Sequence, residues 1–94
     1  GEQEPGRWMA GSNGFARTRS FGGPAEVKAA LTHVAITYAA DGTVTCYRDG
    51  KPYGKPYRTT VQAFEAGKAQ VVFGLRHAPA GGNRMLAGTI TRAM

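Results

Sequence analysis

Two tyrosines and three cations alternate along one short stretch, Lys51-Pro52-Tyr53-Gly54-Lys55-Pro56-Tyr57-Arg58. Aromatic faces stack on sugar rings or nucleobases, and interleaved cations meet acidic groups on the same ligand. Pro52 and Pro56 stiffen the stretch, which lowers the entropy lost when its aromatics engage a ligand. Further along, Arg76, His77, Asn83 and Arg84 bracket a segment holding Pro79, Gly81 and Gly82. Loops on a rigid β scaffold commonly carry binding. Lys51, Tyr53, Lys55, Tyr57, Arg58, Arg76, His77, Asn83 and Arg84 are therefore the candidate ligand-binding residues. The competing account is structural: both tyrosines pack onto the sheet, while the lysines and prolines only keep an edge from pairing with another strand.

Other chemistries find less support. Ser12 and Ser20 lack a Gly-x-Ser-x-Gly elbow. His33 and His77 stand far apart, and no Cys/His spacing suits zinc. Glu2, Glu4, Glu26 and Glu65 lie in lead-in or turn segments, and Asp41 and Asp49 each precede a glycine as turn residues. No Asp-rich calcium loop is present, so neither a metal nor a cofactor is expected. Cys46, the one cysteine, has no internal disulfide partner and reads as a small core residue. Trp8, the one tryptophan, also reads as core rather than as a ligand platform. Twelve Lys+Arg against six Asp+Glu give a formal charge of +6. That charge favours anionic partners, though it is also ordinary for the solubility of a small domain. No apolar run reaches the length of a membrane-spanning helix.

The elements that must position these residues centre on His33–Gly50. Val34, Ile36 and Tyr38 alternate with Ala35, Thr37 and Ala39, and Val44 and Cys46 alternate with Thr43, Thr45 and Tyr47. Each run has the period of a strand with one buried face. A three-residue Ala40-Asp41-Gly42 loop puts Val34, Ile36, Tyr38, Val44 and Cys46 on one face, whereas a two-residue loop would split them. Arg7–Ala10 and Phe15–Phe21 read as a second hairpin around the turn signal Ser12-Asn13-Gly14. Ala25–Leu31 is one helical turn or a loop, too short to be a stable helix alone. Lys51–Tyr57 is an edge or extended loop, because its prolines remove two ladder donors. Arg58–Ala63 rejoins the sheet, Phe64–Lys68 turns, and Gln70–Leu75 and Met85–Arg92 are later strands. Val34, Ile36, Val44, Cys46, Val72 and Ile90 are the expected core. Fourteen glycines and five prolines fit a turn-rich β protein, and the length allows one domain, 1–94, with a frayed lead-in at 1–6.

The pattern His-Val-Ala-x-Thr-Tyr-x-x-Asp-Gly-x-Val-x-x-Tyr-x-Asp-Gly at 33–50 resembles the central hairpin of laminin-G-like, concanavalin A-like lectin/glucanase jelly rolls. Val71-Val72-Phe73-Gly74 and Met85-Leu86-Ala87-Gly88-Thr89-Ile90 are similar to two later strands of that family, so the resemblance runs from about Leu31 to Met94. It implies a bacterial, planctomycete-type multidomain parent, an extracytoplasmic location, and a chain that is an excised segment of a longer jelly roll. The family's glucanases carry a Glu-x-Asp-x-x-Glu strand that has no counterpart here. Its members often hold calcium through loop carboxylates, for which Asp41 and Asp49 would be the candidates.

The fold expectation is all-β and antiparallel: a partial concanavalin A-like jelly roll, or a compact β-sandwich or barrel. The functional expectation is a non-catalytic module that binds a carbohydrate or anionic ligand. One alternative is a structural module that homodimerises by sheet pairing. A second is a small basic β-barrel that binds nucleic acid.

Overall fold

The computed structural model describes residues 3–11, 17–69, 73 and 88–94. The chain divides into two units, Gly1–Gln62 and Ala63–Met94. The first holds every described strand, and all pairing is antiparallel, as the sequence pattern requires. The strands are β1 (Met9–Ala10), β2 (Arg19–Ser20), β3 (Val34–Tyr38), β4 (Thr43–Arg48), β5 (Lys51–Pro52) and β6 (Tyr57–Arg58). No described residue is helical, and Ala25–Leu31 runs as loop.

The β3–β4 register places Ile36 opposite Cys46 and Tyr38 opposite Val44. Ala39 and Thr43 close that ladder, leaving Ala40-Asp41-Gly42 as a three-residue loop. Within it the Gly42 N–H donates to the Ala39 carbonyl at 2.9 Å, and the Ala39 N–H donates to the Thr43 carbonyl at 2.9 Å. Gly42 takes φ +86°, the left-handed position that this loop type needs after its first turn. The next turn is shorter. Arg48 pairs directly with Lys51, and Asp49 and Gly50 both have positive φ, as a two-residue type I′ hairpin demands.

β4 is the centre of the larger sheet, with β3 on one side and β5 followed by β6 on the other. Tyr47 faces Pro52 and Val44 faces Tyr57, so three steps along β4 are matched by five along its partner. The two surplus residues bulge outward around Gly54, and the bulge is a docking point. The Lys55 N–H donates to the Phe21 carbonyl at 2.7 Å, and a β-carbon on Gly54 would lie 2.0 Å from that oxygen.

β1 and β2 form the smaller sheet, with Met9 opposite Ser20 and Ala10 opposite Arg19. This is the first expected hairpin in its expected pairing; its turn lies outside the described residues. The lead-in is tied down at Gly6, whose carbonyl accepts the Glu26 N–H at 2.7 Å, and at Glu4, whose carboxylate accepts the Ser20 hydroxyl at 2.6 Å.

The core lies between the two sheets. Ala10, Phe21, Val44, Cys46 and Tyr53 are buried, and Trp8, Val34, Ile36 and Tyr57 pack against them. Phe21 and Tyr57 rings meet at 5.2 Å. Val44 and Cys46 keep 1% of their surface, whereas Val34 and Ile36 are only half-buried. Ile90, expected in the core, is 58% exposed, because Gly88–Met94 enters no described ladder. Val72 lies outside the described residues.

Two pairs of substitutions test this packing. Val44→Ala should cost about 2–3 kcal/mol, and Ile36→Ala, at a half-buried site, distinctly less. Gly54→Ala and Gly50→Ala carry the same left-handed strain, but Gly50 faces open space. Thermal unfolding should therefore show Gly54→Ala about 1–3 kcal/mol worse than Gly50→Ala, from the clash with Phe21. Equal effects would remove the bulge as a docking point.

Candidate functional site

The structure separates the candidate residues into three groups. Arg76, His77, Asn83 and Arg84 lie outside the described residues. Tyr53 and Tyr57 belong to the core. Lys51, Lys55 and Arg58 stand exposed along the β5–β6 edge.

Tyr53 corrects the expectation of an aromatic ligand platform. Its side chain is 4% exposed, and its hydroxyl donates to the Pro24 carbonyl at 2.6 Å and accepts the Trp8 backbone N–H at 3.3 Å. A β-carbon on Gly23 would lie 2.4 Å from the ring, so the loop backbone covers that face. A ring closed in this way has no face left for a sugar or base. Tyr57 is half-buried against Phe21, and its hydroxyl donates to the Ala10 carbonyl at 3.3 Å. Burial raises its pKa above the ordinary phenol value. The physical reason is register: Tyr57 sits opposite Val44, on the inward side of the sheet.

Besides Tyr38, which lies opposite Val44 on the inward parity, the remaining aromatic of the sheet is Tyr47. Strand alternation puts it on the face opposite the core with Ala35, Thr37, Thr43 and Thr45. Pro52 and Arg58 join that face, paired with Tyr47 and Thr43. The face is rich in hydroxyls and holds one half-buried ring. The signal for it was already present, since Tyr47 shares the parity of Thr43 and Thr45 rather than that of Val44 and Cys46.

The carboxylates are held by the fold. Glu26 accepts two hydrogen bonds from the Arg48 guanidinium, at 2.5 and 3.0 Å, and one from the Trp8 indole N–H at 2.9 Å. Arg48 first and Trp8 second hold its pKa down from 4.5 to about 2, and Glu26 raises that of Arg48 in turn. Asp49 accepts from Arg48 at 2.7 Å and from the His33 backbone N–H at 3.0 Å. Asp41 accepts the Thr43 backbone N–H at 2.9 Å, the Thr43 hydroxyl at 3.0 Å and an Arg58 N–H at 3.0 Å. Its pKa is lowered, chiefly by the Thr43 N–H. Glu4 is lowered as well, chiefly by the Ser20 hydroxyl and then by Arg7. Among the described residues, no group of three His, Cys, Asp or Glu side chains is placed to hold a metal ion. Burial raises the pKa of Cys46, which favours the protonated thiol. No helix among the described residues is long and apolar enough to cross a membrane.

Comparison with protein-family models, with curated proteins and with solved structures finds no match to this chain.

Two predictions follow from the network. Glu26 has a folded pKa below its ordinary value, so the unfolded chain binds the proton more readily. Its contribution to stability is full above about pH 4.5 and is lost as pH falls toward 2. Trp8 fluorescence melts should show that acid loss, and Glu26→Gln should flatten it. A wild-type slope retained in Glu26→Gln would remove the network as its source. Separately, Tyr53→Phe leaves the Pro24 carbonyl and the Trp8 N–H without the phenol and should cost about 1–2 kcal/mol. An unchanged melting temperature would contradict the cross-link.

Proposed function

We propose that the chain is a non-catalytic β module that recognises an anionic carbohydrate-type ligand. One observation carries the reading. Glu4, Glu26, Asp41 and Asp49 are each occupied by structural partners, whereas Lys51 and Lys55 stand exposed with no carboxylate partner among the described residues. Among the described residues of the first unit, the charge left available is therefore positive, and part of it lies along the β5–β6 edge. The adjoining outer face adds Thr37, Thr45 and Tyr47, whose hydroxyls and ring suit a sugar, so the contact surface moves from Tyr53 and Tyr57 to this face. The non-catalytic part of the reading rests on the same carboxylates. Glycoside hydrolysis needs one carboxyl kept protonated as general acid and a second across the bond. The pKa values of Glu4, Glu26 and Asp41 are all pushed down, toward the ionised form.

The test compares a sulfated polysaccharide, a neutral glucan and single-stranded DNA on the full chain. The expected result is salt-sensitive binding to the polysaccharide, with Lys51→Glu/Lys55→Glu weakening it at least about tenfold. Tyr47→Ala should weaken it further, while Tyr53→Phe should leave it unchanged. Equal or tighter binding to DNA with a steep salt slope would replace the reading with a nucleic-acid one. No binding to any of the three would discard it.

A further inference from the structure

β3 is the outer strand of the larger sheet, and among the described residues it pairs with β4 alone. The ladder shows which of its backbone groups are used. The His33 carbonyl accepts the Asp49 N–H at 2.8 Å, and the Ala39 N–H donates to the Thr43 carbonyl. Odd-numbered positions therefore turn their backbone groups toward β4, and antiparallel alternation turns those of Val34, Ile36 and Tyr38 away from it. Three N–H and three C=O groups line the outer edge of β3.

The two edges of this sheet are built differently. The β5–β6 edge carries Pro52, Pro56, the Gly54 bulge, Lys51, Lys55 and Arg58, which are the devices that keep a strand edge from recruiting another. Val34-Ala35-Ile36-Thr37-Tyr38 has no proline, no charge and an uninterrupted ladder. At its end the Tyr38 side chain is 65% exposed.

We infer that the outer edge of β3 is a strand-addition site, and that its occupant is the β3 of a second copy of this chain, running antiparallel. Charge selects the occupant. The chain carries +6, so two copies repel wherever lysines and arginines meet. The stretch from Ala29 to Ala40 contains no Asp, Glu, Lys or Arg and is the longest such run in the sequence. Along it two copies approach with no like charge in the ladder. A two-fold axis at Ile36 pairs Val34 of one copy with Tyr38 of the other, twice over. Such a pair is the self-complementary contact of a symmetric dimer, with an aromatic ring beside a β-branched side chain. The contact is short, so association is concentration-dependent. It lies on the edge opposite Lys51 and Lys55 and does not depend on the ligand reading.

The experiment pairs sedimentation equilibrium with amide hydrogen exchange on the full chain, from about 10 µM to about 1 mM, a range set by the small contact. The mass should rise toward twice that of the monomer. Over the same range, exchange at the Val34, Ile36 and Tyr38 amides should slow at least tenfold. Tyr38→Pro removes an outward N–H and the ring that faces Val34 of the other copy, takes no donor from the β3–β4 ladder, and should abolish both effects while the Trp8 fluorescence melt stays intact. Lys51→Glu/Lys55→Glu should preserve both. A monomer at every concentration overturns the inference. So does a rising mass without protection of those three amides, or their full protection already at the lowest concentration. Undiminished association of a folded Tyr38→Pro chain overturns it too. If that variant unfolds, exchange on the unmutated chain decides.

Discussion

A single phenol joins the separate pieces of the first unit. The Tyr53 hydroxyl bridges the Trp8 N–H and the Pro24 carbonyl, while its backbone N–H donates to the Cys46 carbonyl at 2.8 Å. One residue thus links the segment leading into β1, the loop after β2 and the central strand β4. Hairpins of this size are marginal alone, and a shared core is what lets them persist. The Gly54 bulge follows from the same constraint. By inserting two residues beside β4 it releases the chain from the ladder just after Tyr53, and it brings the Lys55 N–H to the Phe21 carbonyl. The ring is then enclosed by Gly23 on the opposite loop.

Electrostatics is organised around that core. Arg48, at the end of β4, holds both Glu26 and Asp49 and brings Glu26 to the Trp8 indole. Asp41 ties the first turn to Thr43 and Arg58 in the same manner. These exposed pairs contribute modest energy each, and their main effect is positional. They fix the loop ends that frame the sheet, and they take up the carboxylates of Glu26, Asp41 and Asp49. Lys51 and Lys55 stand exposed beside them on the β5–β6 edge.

The larger sheet shows two treatments of an edge. Prolines, lysines and a bulge occupy one side, and an uncharged regular strand occupies the other. Because, among the described residues, β4 alone is paired on both sides, the described sheet is narrow, and a large share of its backbone lies at an edge. In a fold of this size the treatment of edges has as much influence on association as the content of the core.

The central hairpin was legible in the sequence because local rules determine it. Alternation over Val34–Tyr38 and Thr43–Cys46 sets the faces, and a three-residue Asp-Gly loop is the register that keeps the apolar set together. The first hairpin, the turn at Phe64–Lys68, the edge character of the prolines and the burial of Cys46 could be read in the same way. The fate of Tyr53 and Tyr57 could not. Their spacing with lysine suits a ligand platform as well as a core, and only the partners across the fold distinguish the two. Phe21, Gly23 and Pro24 lie about thirty residues away, and the two-residue slip beside β4 that aims both rings inward has no local signature. Periodicity along the chain determined which residues share a face, while contacts between distant segments decided which face is buried and by what, since burial belongs to pairs of surfaces and not to either strand alone.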